Sequence, residues 1–254
     1  MASLTAAERI LQSLAITDPR DIDLEAIAWT QGAIVNYRPL TTCEARIVGT
    51  QKKAVISVNS SSTETRQRFS LAHELGHWQY HRGQVLFCDK QAIGNFRTPA
   101  LNPERHADEF ASDLILPNYL LIPSLQKIKM PTLADIKGVA EEFRASLTAT
   151  LLKTTKSNRF PMGIACYNKA MNRRWYFMSP MIHSFWRPVQ QLDPETFAAE
   201  LLLTGAEQKG PRKMPGEAWF DFQGSDRFEV TEQSFGLPDD EILTVLTLPD
   251  AAII

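Results

Sequence analysis

The stretch from residue 61 to 81 constrains this chain more than any other, because one structure satisfies its pattern: a two-faced helix. On a helical wheel Phe69, Leu71, Ala72, Leu75, Gly76 and Trp78 fall on one side. Arg66, Ser70, His73, Glu74, His77 and His81 fall on the other. Ser61-Ser62-Thr63-Glu64 has capping-box form and opens the helix. The wheel predicts an apolar back buried in a core and a polar front shown to a cleft. His73 and His77 stand one turn plus about 40° apart, so both imidazoles reach one metal ion. Glu74 lies roughly 60° round from His77, on the flank of that pair, where it can take a proton from an activated water. His81 shares the face, but its Cα falls about 12 Å along the axis from that of His73, too far for the same ion. A role behind the ligands, a substrate contact and a plain exposed histidine all remain open for it.

A catalytic zinc takes three protein ligands. The next cluster of donors is Glu104-Arg105-His106-Ala107-Asp108-Glu109, in a second helix that Asn102-Pro103 opens and that stops before Pro117. Geometry alone permits Glu104 or His106 as the third ligand. Two features favour Glu104. Its face carries the small residues Ala107 and Ala111, which let two helices approach closely. Asp108, four residues on, can orient a ligand. Enrichment of acids by the helix dipole explains Glu109 better than Glu104.

Elsewhere the pattern is less specific. Residues 5–14 and 23–30 read as short helices, the second ended by Gly32. Ile47-Val48 and Ala54-Val55-Ile56 flank Gly49-Thr50-Gln51-Lys52 and predict a β-hairpin. Pro123 and Pro131 bracket a connector. Residues 132–143 and 146–156 have helix-turn-helix texture. The second of these helices offers only Lys153 and Lys156 as cations, thin for phosphate, so an ordinary helical hairpin is favoured over DNA contact. Beyond Asn158 short strands (163–167, 174–178, 218–222, 242–248) mix with one helix (194–204). Met171-Asn172-Arg173-Arg174 reads as a turn, the aromatic residues as core, and 208–216 as an exposed loop. The division is 1–120 for the metal-binding domain, 121–158 for the helical hairpin, and 159–254 for a mixed α/β region with a sensory or substrate-docking role. A net charge of -2 argues against a general nucleic-acid or membrane-surface binder. The N-terminus lacks signal-peptide form, no apolar run spans a bilayer, and three cysteines make no disulfide framework, so a cytoplasmic protein is expected. A thiolate of Cys43 or Cys88 at the metal's open position would inhibit it, although free cysteine is more often a small buried residue.

Arg68-Phe69-Ser70-Leu71-Ala72-His73-Glu74-Leu75-Gly76-His77, then His81, then Glu104-x-x-Ala107-Asp108-x-Phe110-Ala111, then Leu114-Ile115-Leu116-Pro117, resembles the ImmA/IrrE metallo-endopeptidases. The likeness is specific over about residues 45–117 and weaker over 132–156. It implies an α+β, zincin-like fold with His73, His77 and Glu104 as ligands of one Zn2+ or another divalent ion. It also implies Glu74 as general base. His106 falls where the family varies. The resemblance implies a cytoplasmic protein substrate, a helix-turn-helix repressor, cleaved in a bacterial, phage or mobile-element stress or induction switch. The competing reading is a non-proteolytic regulator that keeps the scaffold. In such folds substrate pairs with a sheet edge, for which residues 54–58 are the candidate. Tyr80, His81 and Tyr119 are candidates for oxyanion or substrate contacts.

Overall fold

The computed structural model describes residues 3–82, 103–206 and 210–254. Cys88 and the residue before Pro103 therefore lie outside the described residues. The chain divides into two compact units, Met1–Pro123 with Ala140–Ser146, and Ser124–Val139 with Leu147–Ile254. The helical stretch 121–158 is shared between them.

The first unit opens with α1 (Ala6–Ser13), where Thr5 and Glu8 form a reciprocal capping box. Helix α2 (Leu24–Thr30) is capped by the Asp23 carboxylate, which accepts from the Ala26 amide. Three strands follow, β1 (Ala33–Arg38), β2 (Ala45–Gly49) and β3 (Ala54–Asn59), in spatial order β1-β3-β2. Strands β2 and β3 form the expected hairpin, and β1 adds in parallel on the other side of β3. Residues 54–58 are therefore central, not an edge, and cannot accept an added strand. Their burial says the same, since of β3 only Val55 is exposed. The sheet edges belong to β1 and β2.

Helix α3 (Glu64–Tyr80) has the expected extent but begins at Thr63, whose side chain makes no capping bond. The expected capping box is replaced by ties to the sheet. Ser62 Oγ donates to Glu44 Oε2 at 2.5 Å, and the Ser61 amide donates to Asn59 Oδ1. At the other end Trp78 Nε1 donates to the Gln31 carbonyl at 2.8 Å. That bond sets the C-terminal half of α3 level with the start of β1. Through the register Ala33↔Ala54↔Gly49, it is also level with the end of β2.

Helix α4 (Pro103–Ile115) packs on α3 at close range. A Cβ on Gly76 would lie 2.8 Å from the Cα and 3.0 Å from the carbonyl oxygen of Ala107. Backbone cannot yield there as a flexible side chain does. Gly76→Ala is expected to destabilise the chain by about 1–2 kcal/mol, even though alanine normally favours a helix by about 1 kcal/mol. Urea unfolding reads this directly, and an unchanged midpoint would mean that α4 shifts freely.

The polar face of α3 is more buried than the wheel alone suggests. Ser70, His73, Glu74 and His77 are as buried as Leu71, Ala72 and Leu75. His73 and His77 meet the carboxylates of α4, and Ser70 and Glu74 are buried beside them, while Arg66 and His81 at the two ends of the face keep some exposure.

Where a connector was expected, α5 (Asn118–Gln126) forms with Pro123 inside it. Its start is tied to the N-terminal residues: the Asn118 amide donates to Glu8 Oε1, and the Tyr119 hydroxyl to the Ile16 carbonyl. Helices α6 (Leu133–Glu142) and α7 (Leu147–Lys156) follow, joined through Arg144 at φ 52°. The division between the units falls inside α6. From Thr150 to Thr155 every residue of α7, Lys153 included, is buried.

The second unit holds a five-stranded antiparallel sheet of β4 (Met162–Tyr167), β5 (Arg173–Met178), β6 (Arg212–Pro215), β7 (Glu229–Leu237) and β8 (Glu241–Thr247). Its spatial order is β5-β4-β8-β7-β6. Helix α8 (Phe197–Thr204) packs on β7 and β8. The loop expected at 208–216 contains β6. The strand expected at 218–222 is instead a short 3-10 turn, Gly216–Ala218, followed by one bridge from Phe220 to Pro188. Trp186, Trp219, Tyr167 and Phe220 form the aromatic core, while Phe185 stays half exposed.

Candidate metal centre

Helices α3 and α4 bring three donors to one point. His73 Nε2 and His77 Nε2 are 3.0 Å apart. The Glu104 carboxylate spans both, with Oε2 at 3.2 Å from His73 Nε2 and Oε1 at 3.3 Å from His77 Nε2. The three residues form the metal-capable group among the described residues. A tetrahedral ion with bonds of about 2.0–2.1 Å separates its donors by roughly 3.3 Å, so the observed spacing suits one ion.

The chemistry of the donors supports the same reading. His73 Nδ1 lies 2.8 Å from Asp108 Oδ1, so the ring donates there and turns the lone pair of Nε2 inward. His77 Nδ1 is engaged by His81 Nδ1 at 3.3 Å, and its Nε2 also faces the cluster. Two imidazole lone pairs and a carboxylate converge on one place, and a divalent cation satisfies all three. Without an ion, a proton on His73 serves instead. Burial works against that charge, but the Asp108 and Glu104 carboxylates outweigh it and hold the His73 pKa at about 9. Burial likewise pushes Glu104 up, and the hydrogen bonds from His73 and His77 more than reverse this, leaving its pKa well below the carboxylate range.

The sequence-predicted residues sort clearly. His73, His77, Glu104 and Asp108 meet, and of the two candidates for third ligand the group contains Glu104. His106 is exposed and lies beside Tyr80, with ring centroids 6.1 Å apart and the rings tilted by 59°. Glu74 is fully buried beside His73, close enough for its charge to act on that imidazole. Tyr80 and His81 lie together at the end of α3, with centroids 6.2 Å apart. Tyr119 is committed to the Ile16 carbonyl at 2.7 Å, which removes its proton from an oxyanion role in this structure. Cys43 is buried and stands outside the donor group. What the wheel did not resolve is the His81–His77 contact; its signal was the four-residue spacing on one face.

Part of the chain matches a known family. The model of the IrrE N-terminal-like domain matches residues 30–155. No curated protein matches the chain. A solved Mycobacterium tuberculosis transcriptional regulator is similar in fold at 14% identity and a TM-score of 0.65, covering 97% of this chain and 75% of that one. The match from Thr30 to Thr155 encloses both helices that carry the donors, and the chain thus belongs to the ImmA/IrrE family of zincin-like peptidases.

Proposed function

We propose that the protein is a zinc-dependent endopeptidase that acts in the cytoplasm on a regulatory protein, a helix-turn-helix repressor. The observation that carries this reading is the pairing of a three-donor group with Glu74, a carboxylate buried on the same helix and not used as a donor. Burying a carboxylate is costly, and a protein that works by contact alone has no need of one there. His73, His77 and Glu104 would hold the ion, which when bound supplies Lewis-acid polarisation of a carbonyl and an acidified water. Glu74 accepts the water's proton on its carboxylate and returns it to the leaving amine. Asp108 keeps the His73 ring in its ligating tautomer. The substrate adds as a strand to β2, an edge that packs on α3 and ends level with its His73–His77 half.

A second reading is favoured by the name of the structural neighbour, a transcriptional regulator. Here the scaffold would act by contact without hydrolysis. Incubation with a helix-turn-helix repressor encoded beside this gene, with and without chelator, separates the two by mass spectrometry. The expected result is a discrete cut that chelator abolishes. An intact repressor held in a complex would instead establish the contact reading.

A further inference from the structure

We infer that His81 is a positioning residue for the metal ligand His77, serving it as Asp108 serves His73. The inference rests on the metal reading above and goes beyond it. Both ligating rings turn Nε2 toward Glu104, at 3.2 and 3.3 Å. A neutral imidazole that offers the Nε2 lone pair carries its proton on Nδ1, and that proton needs an acceptor. For His73 the acceptor is a carboxylate from the other helix, Asp108 Oδ1 at 2.8 Å. For His77 the atom in place is His81 Nδ1, at 3.3 Å. The His77 ring is only 1% exposed, so its partner has to come from the protein.

The backbone makes this contact specific. His81 is the C-cap of α3, and its amide donates to the His77 carbonyl at 2.8 Å. Main chain and ring of His81 therefore both address His77, four residues earlier on the same face. The two rings are 5.4 Å apart and tilted by 50°, an arrangement for an edge-on nitrogen contact and not for stacking. His81 is partly exposed, so its own proton can stay on Nε2 within reach of water while Nδ1 accepts. The two ligands are thus backed unequally. A carboxylate accepts more strongly than a neutral imidazole, which makes His77 the more loosely held of the pair.

Asparagine and leucine distinguish this role from packing. Asn Oδ1 sits the same number of bonds from Cα as His Nδ1 and accepts a proton there, while leucine places a methyl at that position. Zinc affinity, read by competition with a chromophoric chelator, is expected to fall about 10–100-fold in His81→Leu. In His81→Asn it should stay within about threefold of wild type. The Co2+-loaded absorption spectrum should shift in His81→Leu and be restored in His81→Asn. Metal-free melting curves of all three chains report whether each folds. Wild-type affinity in His81→Leu would overturn the inference, and so would a loss in His81→Asn as deep as in His81→Leu. A folded wild-type chain that takes up no ion would overturn the metal reading itself, and this inference with it.

Discussion

Glu74→Gln is expected to leave metal content unchanged and to slow peptide cleavage by about 10²–10⁴-fold. Glu74 is not among the three donors, so its loss removes no bond to the ion. Glutamine has nearly the same volume, so the fully buried site gains no void. What disappears is a group able to accept a proton at that position. An amide oxygen can hold a water in place but cannot take its proton. Metal stoichiometry, melting temperature and cleavage rate on one preparation separate these effects. A rate within about tenfold of wild type, with metal bound, would place the base elsewhere. A loss of metal alongside the activity would make Glu74 part of the binding set.

The metal centre is legible in the sequence because its logic is local. His73 and His77 are fixed relative to each other by one helical turn, and Glu104 and Asp108 by another, so each pair needs only its own helix. What joins the pairs is the approach of α3 to α4. It leaves a trace in Gly76, whose backbone meets that of Ala107 too closely for a larger side chain. The burial of the polar face is not legible. A wheel shows that Ser70, His73, Glu74 and His77 align, and solvent is the default partner of aligned polar groups. Here the partner of His73 and His77 is another helix.

The missed elements share a physical cause. Strand β7 reads as polar, yet Glu232, Gln233 and Ser234 are buried because they are satisfied from afar. The Glu232 carboxylate accepts from the amides of Phe197 and Ala198 at the start of α8 and from Trp219 Nε1. Gln233 Oε1 accepts from the Leu133 amide at the start of α6. Helix α5 is hidden by Pro123, which normally marks a break. Strand β1 exposes Ile34, Asn36, Tyr37 and Arg38, so it carries little of the alternation that betrays a strand.

Metal affinity is expected to rise with pH and level off near pH 9. In the metal-free chain His73 titrates at about 9, so at pH 7 it holds a proton where the ion must bind. Each ion displaces that proton, which makes affinity rise about tenfold per pH unit well below 9 and about 50-fold from pH 7 to 9. Glu104, held well below its usual range, stays a carboxylate throughout and adds no slope there. Stability without metal should run the opposite way. A histidine raised from 6.5 to about 9 contributes stability that is complete below pH 6.5 and is lost as pH climbs through 9. Glu104, lowered from 4.5, contributes stability that is present above pH 4.5 and is lost as pH falls through its folded value. Over the window from 6.5 to 9 the metal-free chain therefore loses this support, while the loaded chain, whose His73 has already given up its proton to the ion, holds its stability. Melting temperatures with excess zinc and with chelator should diverge steadily across that window. A gap that stays constant from pH 6.5 to 9 would mean that no proton is exchanged for the ion. His73 would then be neutral before metal arrives, and the carboxylates of Asp108 and Glu104 would not be holding its charge.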